Sequence, residues 1–256
     1  AAKYIATSCM ELYKDATVYE TGAVAIIEIM GRHAGWLPAA SALACTKGCG
    51  PDLIFLPERD FSMEYFLKRV KEIYAEKKNV IVAVSEGIHD ADGKFISEYG
   101  SDTAHEKDAF GHAQLGGLAS YLAAVVKKEM GVKVRGIELS LLQRCAAHSA
   151  SLTDLSEAAS AGVHAVISAI NGETGKMVAF RRADTEYYEC EYILIDLADV
   201  ANYENKVPQE WINEAGDGIK APFIAYALPL IQGDYKIPTE NGLPRFANLK
   251  KVFVKK

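Results

Sequence analysis

The sequence predicts an α/β protein built around a parallel or mixed β-sheet. Short apolar runs of strand length alternate with amphipathic helical segments from the start of the chain to about residue 170. The runs at 23–30 and 79–84 are apolar almost throughout, which is typical of parallel strands buried on both faces. Because helices separate these strands, right-handed crossovers that return to the same sheet are expected.

The first half of the chain supplies the expected sheet. Strands are predicted at 23–30, 51–57, 79–84 and 132–139, and helices at 3–14, 36–47, from 61 onward and at 114–129. The helix that opens near Phe61 carries Phe66, Val70 and Ile73 at helical spacing. Gly131 is expected to end the helix that precedes the fourth strand.

The second half of the chain has a different pattern, which indicates a second lobe or an extension after residue 171. Ser151 or Thr153 is expected to cap a helix that runs to about residue 170. Further elements are two strands that pair as a hairpin and two helical segments, at 175–180, 187–197, 208–213 and 223–231.

Composition excludes several classes of protein. Half of the 256 residues are apolar, 24% are charged, and the mean hydropathy is zero, which excludes a disordered, collagen-like or membrane protein. The net charge is −6 and no basic block occurs, so neither nucleic acid nor a membrane is an expected partner. Five scattered cysteines, an odd number, indicate reduced thiols in a cytoplasmic protein.

Polar residues follow three of the predicted strands, at Met30-Gly31-Arg32-His33, Ser85-Glu86-Gly87 and Ser140-Leu141-Leu142-Gln143-Arg144. Ligands of open α/β sheets bind outside the carboxyl ends of the strands, so these residues are candidates for one site. Two arginines, a carboxylate, an amide and exposed glycine backbone suit a phosphorylated polyol, because guanidinium groups bind phosphate and carboxylates accept sugar hydroxyls.

The same residues also permit a plain structural interpretation. Arg32 could pair with Glu28 or cap a helix, Glu86 could be a solvated loop carboxylate, and Arg144 could lie on the surface. His105 and His112 flank a polar loop that is a candidate lid over the site. No metal ligands are assigned, since the Cys45–Cys49 spacing lacks a second ligand pair.

A family resemblance favours the phosphate site. The segment Ile27-Glu28-Ile29-Met30-Gly31-Arg32-His33-Ala34-Gly35-Trp36 resembles the Met-Gly-Arg signature of the phosphofructokinase family, in its pyrophosphate-dependent form. Pro57-Glu58, the segment 82–87, and Arg135 with the Gln143-Arg144 pair follow in the family's order. The resemblance implies a phosphofructokinase-like α/β fold of Rossmann-like lobes, of which this chain holds one lobe and part of the large lobe.

The resemblance also implies roles for individual residues. Met30, Gly31 and Arg32 would hold fructose 6-phosphate, with Arg32 as the catalytic residue that faces the transferred phosphoryl group. Glu86 would bind sugar hydroxyls, and Arg144 the sugar 6-phosphate.

The resemblance also implies a contact with a neighbouring subunit, and the sequence departs from the family's pattern at two positions. Arg135 would reach the sugar phosphate of a neighbouring subunit, which implies a homo-oligomer, a dimer or a tetramer. Leu141 is expected at a substrate-binding position, where many ATP-using members have a phosphate-contacting histidine. Ala23 stands where a second subunit-crossing arginine is expected.

Three segments of the family are missing from the sequence: the glycine-rich phosphate loop, the Gly-Gly-Asp-Gly/Asp segment that places Mg²⁺, and Thr-Ile-Asp-Asn-Asp with the catalytic base. Phosphoryl transfer needs a donor cradle, a metal and a base. The chain is therefore expected to be the C-terminal part of a longer enzyme and to be inactive alone. The expected parts are a linking helix, a sugar-phosphate lobe, and the large-lobe portion with its extension, at 1–21, 22–143 and 144–256.

The function implied is phosphoryl transfer from pyrophosphate to O1 of fructose 6-phosphate, with Mg²⁺ bound mainly by the missing part. The product would be fructose 1,6-bisphosphate, an intermediate of glycolysis. Two alternatives stay open at this point. One is the same reaction with ATP as the donor, and the other is a non-catalytic module that binds a sugar phosphate.

Overall fold

The computed structural model describes residues 1–18, 20–100, 117–248 and 250–253. The candidate lid residues His105 and His112 and the predicted helix start at 114 lie outside these ranges.

Four parallel strands form the central sheet, in the order β2-β3-β1-β4. They are β1 (Ala23–Ile29), β2 (Leu53–Phe55), β3 (Asn79–Ser85) and β4 (Val134–Glu138). Every residue of β1 is buried, because the strand has a neighbour on each side and covered faces. The parallel sheet predicted from the apolar runs is confirmed.

The α-helices of this part, among the residues that the structure describes, are α1 (Ala2–Thr17), α2 (Trp36–Ala40), α3 (Met63–Lys77) and α4 (Leu118–Met130). The Ser62 hydroxyl caps α3 by accepting the Tyr65 N–H at 3.2 Å, and Gly131 ends α4 at φ 66°. The helix expected at 36–47 is divided in the structure. Its α-helical part ends at Ala40, and a 3₁₀ helix, Ser41–Lys47, follows and ends at Gly48 with φ 66°.

The apolar core lies on the two faces of the sheet. On one face, Val24 and Ile26 of β1 belong to a cluster with residues of α3 and α4. On the other face, Ile27 and Ile29 belong to a cluster with α1 and α2. Residues from the second half of the chain complete this second cluster: Val207, Ile212, Phe223 and Ala227. The core therefore includes residues from both sides of the predicted boundary at residue 143, and the division into domains stays a prediction.

The second half of the chain consists of short elements around one long helix. They are α5 (Leu142–Cys145), α6 (Leu152–Ile170), β5 (Lys176–Arg182), β6 (Cys190–Asp196), α7 (Leu197–Val200), α8 (Ala221–Ala227), β7 (Thr239–Glu240) and β8 (Leu243–Pro244). The β5 and β6 strands pair antiparallel, which confirms the predicted hairpin. Single-turn 3₁₀ helices occur in this half at Ala147–Ser149, Gln209–Trp211 and Leu228–Ile231, and in the first half at Ile96–Tyr99.

Helix α6 begins as predicted at Ser151, whose hydroxyl accepts the Asp154 N–H at 3.3 Å. No residue of this helix is buried within the described structure, and six of its large apolar side chains are exposed: Leu152, Leu155, Val163, Val166, Ile167 and Ile170. Among the residues that the structure covers, no helix combines the length and the apolar character needed to span a bilayer.

Candidate functional site

The carboxyl ends of β1, β3 and β4 meet at one edge of the sheet. The register places Ile29 of β1 beside Ser85 of β3, and backbone pairing continues one residue further. The Glu86 N–H donates to the Ile29 carbonyl at 2.9 Å, and the Leu139 N–H donates to the Glu28 carbonyl at 3.1 Å. The three turns that the sequence marked as candidates are therefore neighbours in space.

Glu86 is the carboxylate at the centre of this edge. It is half-buried, and its Oε1 accepts the Gly31 N–H at 3.5 Å. Burial raises the pKa of Glu86 above its usual range, although the Gly31 hydrogen bond and the charges of Arg32 and Arg144 act in the opposite direction. Both arginines are thus within electrostatic range of one carboxylate. The turns that carry Arg32, Glu86 and Arg144 are therefore adjacent, and the binding roles expected of these residues stay predictions.

The turns after β1 and β3 are in direct contact. The buried Ser85 hydroxyl donates to the Gly31 carbonyl at 2.8 Å and accepts the Gly87 N–H at 3.2 Å. At Gly87 a Cβ atom would lie 1.7 Å from the Arg32 carbonyl oxygen. Glycine is required there because only a residue without a side chain allows the two backbones to approach so closely.

The turn after β4 carries Arg144 on the short helix α5. Arg144 is exposed, and so is Leu141 at the start of the turn, where 56% of the leucine surface is accessible. Gln143 is buried, and its Oε1 accepts the Met30 N–H at 3.2 Å. The sequence placed this amide among the ligand-binding groups. In the structure its oxygen contacts backbone instead, and Met30 is half-buried beside it.

A cavity of about 430 Å³ opens next to Arg144, between the start of α1, helix α5 and the start of α6. Its lining includes Lys3, Gln143, Arg144 and Ser151. The volume lies within the range of small-molecule sites, roughly 300–1,000 Å³. Two cationic side chains, Lys3 and Arg144, and the carboxylate of Asp154 border this space, and Lys3 is also paired with Asp234 at 3.2 Å.

Arg135 lies far from these residues. It is in β4 and pairs in register with Ala25, four residues before the end of β1, so it lies toward the amino end of the sheet. Its side chain is exposed. Within one chain, the structure does not bring Arg135 to the site of Glu86 and Arg144.

Three further residues shape the site through hydrogen bonds that the sequence did not predict. Ser85 and Gln143 hold the turns together, and Glu28 of β1 is buried with its Oε2 accepting the Ala119 N–H at 2.9 Å. The signal for Glu28 was present, since it is the single charged residue in an apolar strand. Its hydrogen-bond acceptor role toward α4 could not be foreseen, because Ala119 is 91 residues away in sequence.

The described residues contain no cluster of metal-ligating side chains. No group of three or more histidine, cysteine, aspartate or glutamate side chains comes together in the part of the chain that the structure covers. The groups that the structure places at this edge of the sheet are arginines, a carboxylate and backbone N–H groups.

Comparison with known proteins finds similarity to phosphofructokinases. A sequence profile described as Phosphofructokinase matches residues 1–137. The pyrophosphate--fructose 6-phosphate 1-phosphotransferase of Halomonas elongata is 42% identical over 253 residues, 98% of this chain. The enzyme of the same name from Xanthomonas campestris pv. campestris is 42% identical over 263 residues, which cover 100% of this chain.

A solved structure agrees with these sequence relatives. The pyrophosphate-dependent phosphofructokinase of Nitrosospira multiformis superposes with a TM-score of 0.85 at 35% identity, over 100% of this chain and 60% of that one. The chain spans 59% of the length of the Halomonas protein and 61% of that of the Xanthomonas protein.

Proposed function

Because this chain belongs to the phosphofructokinase family, we propose that it carries the fructose 6-phosphate half of a pyrophosphate-dependent 6-phosphofructokinase. The observation that carries the proposal is the convergence of Arg32, Glu86 and Arg144 at the carboxyl ends of three adjacent strands. The whole enzyme would transfer a phosphoryl group from pyrophosphate to O1 of fructose 6-phosphate.

The chemistry of each group supports its proposed role. Arg144 is exposed beside the cavity, and its planar guanidinium group suits the 6-phosphate. Glu86 accepts the Gly31 N–H with one oxygen, and its carboxylate has further lone pairs for sugar hydroxyls. Arg32 lies in the turn after β1, where a cation would stabilise the charge of the transferred phosphoryl group.

Arg135 is proposed to act across a subunit interface. Its side chain is exposed at the far end of β4, which is an edge strand of the described sheet. An arginine in that place lies away from the site of its own chain, which supports a contact with the sugar phosphate of a second copy. This proposal requires a homo-oligomer.

Pyrophosphate is proposed as the donor because the relatives matched over nearly the whole chain carry that name. Mg²⁺ would neutralise the donor's charge, and we assign no ligand for it among the described residues. We place the protein in the cytoplasm, which agrees with the five free cysteines of the described chain. The 256-residue chain alone is expected not to turn over fructose 6-phosphate.

Calorimetric titration of the chain with fructose 6-phosphate tests the proposal. Arg144→Ala and Glu86→Ala are each expected to weaken binding about tenfold or more, because each removes charge-assisted hydrogen bonds. The Arg144 variant should bind unphosphorylated fructose no worse than the wild type does. Arg181→Ala is the matched control, since Arg181 is an exposed arginine of β5 that pairs with Glu191 at 2.7 Å. Unchanged affinity in both site variants would exclude the proposed site.

A further inference from the structure

The short helix α5 is exposed except at one residue. Leu141, Leu142, Arg144 and Cys145 are all exposed, whereas only 1% of the Gln143 surface is accessible. A glutamine that is the buried member of an exposed turn is unusual, because burying a primary amide is favourable only when its polar atoms find partners.

Both ends of the Gln143 amide have partners, and both partners are backbone groups. The Oε1 accepts the Met30 N–H at 3.2 Å, and the Nε2 donates to the Ser140 carbonyl at 2.9 Å. Ser140 has a positive φ of 44°, a conformation that non-glycine residues rarely adopt. The amide thus connects the β1 turn to a strained residue in the turn after β4.

The two connected turns carry the two arginines of the site. Met30 is two residues before Arg32, and Gln143 immediately precedes Arg144. The Arg144 N–H donates to the Leu141 carbonyl at 3.1 Å, so Arg144 belongs to the same tight turn as Gln143. A shift of this turn relative to β1 would move the Arg144 guanidinium relative to Glu86 and Arg32.

We propose that Gln143 is a positioning residue, which holds the Arg144 turn against the β1 turn and so sets the distance between Arg144 and Glu86. Both ends of its amide are already bonded to backbone groups. The identity of the molecule that the positioned groups bind rests on the proposed function, but the positioning is a property of the ligand-free chain.

The positioning is tested first without any ligand. Carbon-13 NMR of the Glu86 carboxyl follows its titration in the wild type, in Gln143→Leu, in Arg144→Ala and in the double variant. In the wild type the positive charge of Arg144 favours ionisation of Glu86. Gln143→Leu should therefore raise the pKa of Glu86, and adding it to Arg144→Ala should raise that pKa no further. A Glu86 titration in Gln143→Leu identical to that of the wild type would overturn the proposal.

Fructose 6-phosphate titrations of the same four proteins are the second measurement. Gln143→Leu is expected to lose roughly fivefold to tenfold in affinity, and the double variant should bind about as weakly as Arg144→Ala alone. Losses that multiply would mean that the two residues act independently, which contradicts the proposal. If the expected Glu86 shift occurs but the wild type does not bind the sugar, the proposed function fails and the positioning stands.

Two further variants separate positioning from simple loss of stability. Gln209→Leu is the control for loss of an amide-to-backbone bond, because the exposed Gln209 also donates its Nε2 to a backbone carbonyl, that of Glu58 at 2.9 Å, but lies outside the site. It should leave the Glu86 titration and the affinity unchanged. If Gln143→Leu does not fold, Gln143→Met, which is more flexible and of similar length, takes its place with the same expected results.

Discussion

The Glu28 carboxylate accepts a hydrogen bond from the Ala119 N–H at 2.9 Å, in the first turn of α4. The helix N-terminus is a favourable place for an anion, because its N–H groups lack partners within the helix. Glu28 is nevertheless buried, and on β4 its register partner is another carboxylate, Glu138. The hydrogen bond between Glu28 and Ala119 therefore joins β1 to α4 through a carboxyl group whose charge depends on pH.

Glu28 should make the stability of the protein depend on pH near neutrality. Burial raises the pKa of Glu28 to about 7, and the charges of Glu138 and Glu86 add to this effect, while the Ala119 hydrogen bond opposes it. Since the folded pKa is above the unfolded value of 4.5, the folded state keeps its proton longer. The contribution to stability is complete below pH 4.5 and is lost as the pH rises to about 7.

Glu28→Gln removes this titration. The wild type should lose stability as the pH rises through that window, whereas the variant should not. The difference in free energy of unfolding, variant minus wild type, should therefore increase by up to about 3 kcal/mol from the low end of the window to the high end. Urea unfolding of both proteins at several pH values measures the difference. A difference that is the same at every pH would show that Glu28 does not titrate in this range.

Asp217 should act in the opposite direction and at lower pH. Burial alone would raise the pKa of Asp217, but hydrogen bonds from Asn213, Arg69 and Tyr65, at 2.8, 2.9 and 2.9 Å, hold it below its usual range. Its stabilising effect is therefore complete above the unfolded pKa of 3.8 and is lost as the pH falls through the folded value.

Asp217→Ala is expected to destabilise the chain by about 2–3 kcal/mol at neutral pH, because three donors lose a buried acceptor. Tyr65→Phe removes only one of the three bonds and should cost about 1 kcal/mol. Guanidinium chloride unfolding compares the variants. Equal stability of Asp217→Ala and wild type would exclude the network as a source of stability.

Ser85→Ala should affect both stability and ligand binding. The variant leaves the Gly31 carbonyl and the Gly87 N–H without the hydroxyl that joins them, at a cost of about 1–2 kcal/mol. We expect roughly threefold to tenfold weaker binding of fructose 6-phosphate, because the β1 and β3 turns carry Arg32 and Glu86. Ser41→Ala is the control, since Ser41 is also buried but bonds only within its own turn, to the Pro38 carbonyl. Equal affinity of the two variants would count against a role for Ser85 in the site.

Gly87→Ala should disrupt the site more severely than any of these changes. The new Cβ would lie 1.7 Å from the Arg32 carbonyl oxygen, so the two turns must separate. Loss of measurable fructose 6-phosphate binding is expected. Gly162→Ala provides the comparison: apart from its chain neighbours and the backbone of its own helix, a Cβ there meets no atom within 4 Å, and alanine in the α6 helix should raise stability by up to about 1 kcal/mol. Normal binding by the Gly87 variant would mean that the close approach is not needed.

The sequence predicted the sheet and the meeting of the polar turns at one of its edges because both depend on local patterns. The apolar runs at 23–30 and 79–84 became β1 and β3, and polar residues directly after them came together. The phosphofructokinase-like fold expected from the Met-Gly-Arg segment is confirmed. The site roles of Arg32, Glu86, Arg135, Leu141 and Arg144 stay predictions.

Non-local contacts limited what the sequence could predict. Gln143 looked like a ligand-binding amide because its partner, the Met30 N–H, is 113 residues away. Nothing in the local pattern distinguishes an amide that faces a ligand from one that faces a distant backbone group. The predicted helix 36–47 was too long for a related reason, since helix propensity alone does not show where the turn tightens.

The hydrogen bonds that join the three turns have a consequence for how the protein folds. They connect residues 54 and 113 positions apart, Ser85 with Gly31 and Gln143 with Met30. Contacts between residues that are far apart in sequence form slowly, because closing the long intervening loop costs conformational entropy. The proposed site needs all three turns to meet, so in a refolding experiment the recovery of fructose 6-phosphate affinity is expected to lag behind the recovery of helical circular dichroism.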